Sequence, residues 1–201
     1  MNLYKGYIPT NDKKAITTFK GKTTEELFSL EEVERFPEYA GILADDTVLV
    51  DIDEEEQAQI MLNIIQSKAL KCKVIKTTRG MHFLFKCDAP MQNRTHAKLA
   101  IALIADIKGG GRASYEVLKY GGVERKVLYD TGEYQVIPKY LTPVKTNMSL
   151  LDMTEGDGRN NALFSYILPL QQNDFDVEEC RECITVINDF VLRDPLSKEE
   201  L

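Results

Sequence analysis

The run Thr47-Val48-Leu49-Val50-Asp51-Ile52-Asp53 constrains this chain more than any other stretch. Its apolar, β-branched residues predict a buried strand over 47–52. Alternate side chains of a strand share a face, so Asp51 and Asp53 are expected to point the same way while Ile52 points into the core. Two carboxylates at i and i+2 at the end of a buried strand form a hard-oxygen site suited to Mg²⁺ or Mn²⁺. A cation there neutralises the repulsion that would otherwise raise the pKa of one acid. Two such ions roughly 3.5 to 4 Å apart can activate a 3′-hydroxyl and stabilise a leaving pyrophosphate.

Around this strand the pattern is that of an α+β protein. Residues 24–36 have helical spacing, with Thr24 as a cap, Leu27, Leu30 and Val33 on one face, and Pro37 closing the stretch. Residues 54–70 read as an amphipathic helix with acids in its first turn. Cys72–Thr77 and His82–Lys86 read as strands joined by Thr78-Arg79-Gly80-Met81. Residues 95–105 lead, as a short helix or strand, to Asp106 and the turn Gly109-Gly110-Gly111. A strand through Tyr115–Lys119 is expected to pair with Lys126–Tyr129 across the hairpin turn Gly121-Gly122. Residues 144–157 have linker composition, and 159–170 and 176–192 read as helices. The expected division is a catalytic domain over 1–146 and a small helical domain over 147–201.

The formal net charge of −7 argues at first against a polyanionic partner, but the charge is unevenly spread. Residues 25–56 carry 13 acidic and 1 basic side chains, whereas 57–150 carry 15 basic and 6 acidic. A basic middle beside an acidic cluster is the footprint expected for nucleic acid and metal together. No apolar run approaches the roughly 18 to 20 residues that span a bilayer. The N-terminal MNLYKGYIPTNDKK lacks the apolar core of a secretory signal. An intracellular protein with no membrane partner is expected. Of the four cysteines, only Cys180 and Cys183 have C-x-x-C spacing, and no second pair completes a zinc site; they read as two thiols on a helix face.

Two further segments add chemistry. Lys76-Thr77-Thr78-Arg79-Gly80-Met81-His82 places a cationic, hydroxyl-rich turn before a strand beginning with His. Lys76, Thr78, Arg79, His82 and the turn's backbone N–H groups suit a triphosphate. In Ile104-Ala105-Asp106-Ile107-Lys108-Gly109-Gly110-Gly111, an apolar stretch ends on an acid, Lys108 can share its face, and the glycines permit close approach to a ligand. There is no G-x-x-x-x-G-K-[ST] phosphate loop. A phosphohydrolase of the haloacid dehalogenase type also begins with a strand and D-x-D, but needs Thr or Val where Glu55 stands.

In this order the three segments resemble the archaeo-eukaryotic primase superfamily, most closely its primase-polymerase branch from phages, plasmids and genomic islands. The resemblance covers about residues 4–145. The S/T-x-G-x-H motif of that branch is matched by Thr78-Arg79-Gly80-Met81-His82, and its D-x-R/K by Asp106-Ile107-Lys108 before the glycines. Many relatives then have a strand and a P-P-S turn, where this chain has Tyr115-Glu116-Val117-Leu118-Lys119-Tyr120-Gly121-Gly122. The segment Gly156–Phe164 and the end Asp194–Leu201 resemble the helical domain that follows such catalytic domains and commonly precedes a ring-forming helicase.

The resemblance implies an RRM-like sheet plus a second αβ unit, followed by a small all-α domain. It implies Asp51, Asp53 and Asp106 holding two Mg²⁺ or Mn²⁺ ions, and His82 contacting the incoming triphosphate. Thr78, Arg79, Lys108 and Lys76 are expected to make further phosphate contacts. A single-stranded DNA template is expected along Lys71, Lys73, Arg94, Lys98, Arg125 and Lys126, with a replicative helicase as partner in the cytoplasm of a bacterial host. The competing expectation is a non-catalytic module that binds DNA or recruits a helicase.

Overall fold

A computed structural model describes residues 2–201. It is α+β, with two antiparallel sheets and four α-helices among the described residues. The strands are β1 (Tyr4–Asn11), β2 (Lys14–Ala15), β3 (Tyr39–Leu43), β4 (Thr47–Ile52), β5 (Lys73–Lys76), β6 (Met81–Lys86), β7 (Arg94–Lys98), β8 (Ile104–Gly109), β9 (Tyr115–Tyr120), β10 (Val123–Glu124) and β11 (Val127–Asp130). The helices are α1 (Leu30–Val33), α2 (Glu55–Ser67), α3 (Arg159–Gln171) and α4 (Val177–Phe190). One sheet has the order β10-β9-β3-β1-β2 and the other β11-β5-β6-β4-β8-β7.

Contacts divide the chain into two compact units, each discontinuous in sequence. The first comprises residues up to Asp53 with Lys71–Thr95 and Asp106–Val136. An apolar cluster of Leu3 and Leu43 with Leu49, Ile75 and Leu84 lies between its sheets. Leu49 and Leu84 are cross-strand partners, and two residues further along the same faces stand Asp51 and His82, also partners. The inter-sheet face of β4 therefore runs from apolar to charged as the strand ends, which places the acids at the edge of the core. The opposite face of β4, carrying Val48, Val50 and Ile52, is fully buried.

The second unit comprises Glu54–Leu70, His96–Ala105 and Ile137–Leu201. Glu54 caps α2 by accepting from the Glu56 and Gln57 N–H groups, and Ala58, Met61, Leu62, Ile64 and Ile65 are buried along it. Leu163, Tyr166 and Leu170 of α3 and Cys180, Cys183, Ile184, Val186 and Ile187 of α4 are also buried. All four cysteines are free and buried; Cys183 Sγ donates to the Ala100 carbonyl at 3.3 Å. Lys139 joins the 137–142 segment to α4 through Glu179, at 2.5 Å.

Two local expectations change. The helix over 24–36 is instead a 3₁₀ turn at Thr24–Glu26 and the short α1, because Ser29 starts a fresh helix by accepting from the Glu32 N–H while the Glu32 carboxylate accepts from the Ser29 N–H. The turn at Gly121-Gly122, both at positive φ, does join a hairpin, but β9 pairs there with β10. Residues 127–130 form β11 and pair with β5 in the other sheet. After Arg125 donates its N–H to the Leu118 carbonyl, the chain changes sheets, and the Lys126 carbonyl accepts from Lys76 N–H. Among the described residues no helix is long and apolar enough to cross a membrane.

Candidate functional site

Asp106 on β8, Asp51 on β4 and His82 on β6 occupy one cross-strand row: Asp51 is the register partner of both. Partners in an antiparallel ladder share a face with Cβ atoms about 5 Å apart, so the two acids and the imidazole meet on the inter-sheet side. Lys108, two residues beyond Asp106, lies on that face too, and its Nζ donates to Asp51 Oδ2 at 2.8 Å. Asp53 follows the end of β4, where it pairs with Arg79 at 2.8 Å on an exposed surface.

Asp51 and His82 of this row, but not Asp106, line a cavity of about 470 Å³ within the first unit. Its walls include Asp51, Asp53, Thr77, Thr78, Arg79, His82 and Lys108, together with Lys13, Asn93, Ser114 and Arg125. Four cations thus face two carboxylates there. The turn that brings Thr78 and Arg79 is closed by Thr77 N–H donating to the Gly80 carbonyl and Gly80 N–H donating to Thr77 Oγ1, both at 3.0 Å. Of the expected phosphate ligands, Lys76 is not in the cavity wall but in β5, opposite Met81. A larger cavity of about 630 Å³ lies near Tyr4, Tyr7, Phe28 and Tyr134, away from the carboxylates.

His82 is 6% exposed. Its Nδ1 lies 2.8 Å from Glu116 Oε1, and its Nε2 lies 3.2 Å from Asp51 Oδ1. The Nε2 contact is close enough for ion pairing but poorly aligned, and Asp51 Oδ1 is buried without a well-formed hydrogen bond. Burial pushes the His82 pKa down, but the Asp51 and Glu116 carboxylates close to its two nitrogens outweigh it and hold the imidazole above its ordinary value. Burial pushes the Asp51 carboxyl up; the facing His82 ring and Lys108 ammonium outweigh that and hold it well below the usual carboxylate range.

Oxygen donors on one sheet face, one of them a buried oxygen lacking a good hydrogen bond, suit a hard divalent cation by donor chemistry. As the side chains stand, Lys108 and Arg79 hold Asp51 and Asp53, and no group of three or more His, Cys, Asp or Glu among the described residues is arranged to ligate one ion. A cation would take the place of those ion pairs.

Two of the three glycines at 109–111 are packed against backbone, while Gly111, at positive φ, has room around it. A Cβ on Gly109 would stand 2.1 Å from the Met91 carbonyl oxygen, and one on Gly110 would stand 1.7 Å from that of Ala44, so the close approach is to the protein's own backbone. The template candidates are also scattered. Lys71 and Lys73 pair with Glu133 and Asp130, Lys98 donates to the Met148 carbonyl in the second unit, Arg94 and Lys126 are exposed, and Arg125 lines the cavity.

Glu116 and Tyr4, like Lys13, Asn93 and Ser114 of the cavity wall, are site residues the motifs did not flag. The Tyr4 hydroxyl donates to Glu116 Oε2, and burial first, then the Glu116 charge, raises the tyrosine pKa well above its ordinary value. A signal existed: Glu116 has the parity of Leu118, which packs against the inter-sheet cluster, so an acid stood on an apolar face. Searches against protein-family models and against curated proteins return no match for this chain.

Proposed function

We propose that this chain transfers nucleotides to a nucleic-acid strand on a single-stranded DNA template, as the primase-polymerase part of a mobile-element replication protein that works with a helicase. The observation that carries this is Asp51 and His82 in the wall of a cation-lined cavity, with Asp106 beside Asp51 in the same cross-strand row. A triphosphate carries about four negative charges, and its transfer depends mostly on positioning and on positive charge at the entering and leaving oxygens. Asp51, Asp53 and Asp106 would hold Mg²⁺ or Mn²⁺, which supplies charge at those oxygens when bound. Lys108 and Arg79, released from their carboxylates, turn to the phosphates, and Arg125 and Lys13 of the cavity wall add charge. Thr78 and the backbone N–H groups of its turn offer donors to the phosphate oxygens. His82, held at Nδ1 by Glu116, directs Nε2 toward Asp51.

The ion pairs Lys108–Asp51 and Arg79–Asp53 favour a second reading, in which the acids are structural and the chain binds DNA or recruits a helicase without catalysis. One experiment separates the two. The protein is incubated with single-stranded DNA, Mg²⁺ or Mn²⁺ and labelled ribo- or deoxyribonucleotides, beside the Asp51→Ala/Asp53→Ala double variant. Wild type is expected to incorporate label and release pyrophosphate, and the variant to keep its circular dichroism spectrum but incorporate none. Equal incorporation by both would remove the catalytic assignment. DNA binding without incorporation would establish the non-catalytic module, and release of free phosphate would indicate a hydrolase.

A further inference from the structure

Glu116 is a carboxylate with a fully buried side chain, on the strand face that carries Leu118. A buried charge at such a place is costly unless donors surround it. Two donors do, one on each oxygen: His82 Nδ1 lies 2.8 Å from Oε1, and the Tyr4 hydroxyl donates to Oε2. The tyrosine reaches its partner by crossing a strand. Tyr4 is on β1 and Glu116 on β9, with β3 between them. The β3 residue opposite Glu116 is Gly41. A Cβ on Gly41 would stand 2.6 Å from Tyr4 Cδ1 and 2.8 Å from Cγ, so the ring's path exists because position 41 has no side chain. Three neighbouring strands of one sheet are thereby fitted to hold one carboxylate against one imidazole nitrogen of the other sheet.

We propose that Glu116 is a positioning residue: it holds the His82 ring with Nδ1 on Glu116, where Arg125 Nη1 also stands 3.5 Å away, and Nε2 toward Asp51, and Tyr4, admitted by Gly41, fixes Glu116. This rests on the assignment of the cavity to a nucleoside triphosphate. The second side-chain torsion of histidine has broad, roughly two-fold wells, so packing alone does not choose which nitrogen faces a ligand. A hydrogen bond to the far nitrogen does. Glu116 touches the imidazole and not the reacting atoms, so its effect passes through His82.

The chain has 2 histidines, so ring-¹⁵N labelling gives a simple spectrum, and His96→Gln assigns the second signal. At one fixed pH, the wild-type His82 Nδ1 proton is expected in slow exchange with water. Glu116→Gln keeps it, because the amide oxygen still accepts; Glu116→Ala loses it. In nucleotide incorporation, Glu116→Ala raises the KM for nucleotide about tenfold with a smaller change in kcat, and Glu116→Gln restores it. Should Glu116→Ala fail to fold, Tyr4→Phe and Gly41→Ala leave Glu116 in place, and both are expected to speed exchange of the same proton. An unchanged Nδ1 signal in the folded variants, or Glu116→Gln as impaired as Glu116→Ala, overturns the proposal. If wild type incorporates no nucleotide, the polymerase assignment fails while the ring signal still decides the role of Glu116. If wild type incorporates and the signal does not move, the polymerase assignment stands and the positioning role fails.

Discussion

His82 sits between two carboxylates, Asp51 and Glu116, in a largely buried place where solvent screens them little. That makes its proton part of the fold. The imidazole is held above its ordinary pKa, so the folded state binds a proton more tightly than the unfolded chain. The stability this confers is fully present below the unfolded value of about 6.5 and is lost as pH rises through the higher folded value. Asp51 has the opposite sign: its depressed pKa contributes stability above about 3.9, lost as pH falls through the folded value. Urea unfolding of wild type and His82→Gln across this range is expected to show their stability difference largest in the mildly acidic region and shrinking toward alkaline pH. A pH-independent difference would mean that the ring is not held as a cation.

At the scale of elements, the site depends on how closely the 77–80 turn is seated against β4. A Cβ on Gly80 would lie 1.8 Å from the Ile52 carbonyl oxygen and 2.8 Å from its carbon, both backbone atoms that no rotamer change can clear. Gly80→Ala must therefore push the turn away from the strand end, carrying Thr78 and Arg79 with it. The expected cost is about 1 to 3 kcal/mol, as for other overpacked sites, together with weaker nucleotide binding. An unchanged melting temperature would show that the turn is not packed there. The strands β4, β5 and β6 and the helices α2, α3 and α4 follow the periodicity of the sequence because each buries a regular face. The 24–36 stretch does not, since a capping box at Ser29 overrides a helical spacing too short to sustain itself.

At the scale of the whole molecule, the chain leaves each compact unit and returns, so neither is a continuous segment. Helices α3 and α4 belong to the same unit as α2, which lies before residue 71. A protein ending at residue 146 would keep α2 but lose those two helices. We expect it to bind a hydrophobic dye and to unfold at lower urea than the full chain; an unchanged midpoint would show that the second unit does not need them. The sequence by itself determined the α+β class, the acid-tipped strand at 47–53, and the types of residue that meet in the row, because period-two alternation and strand ends are local properties. Only the tertiary structure decided that Asp106, Asp51 and His82 are register partners, that Lys108 and Arg79 hold the acids, and that a buried Glu116 backs the imidazole through Tyr4 and the gap at Gly41. Those facts depend on which strands become neighbours and on how far one sheet reaches across another, and strand pairing between segments distant in sequence leaves no local pattern from which to read it.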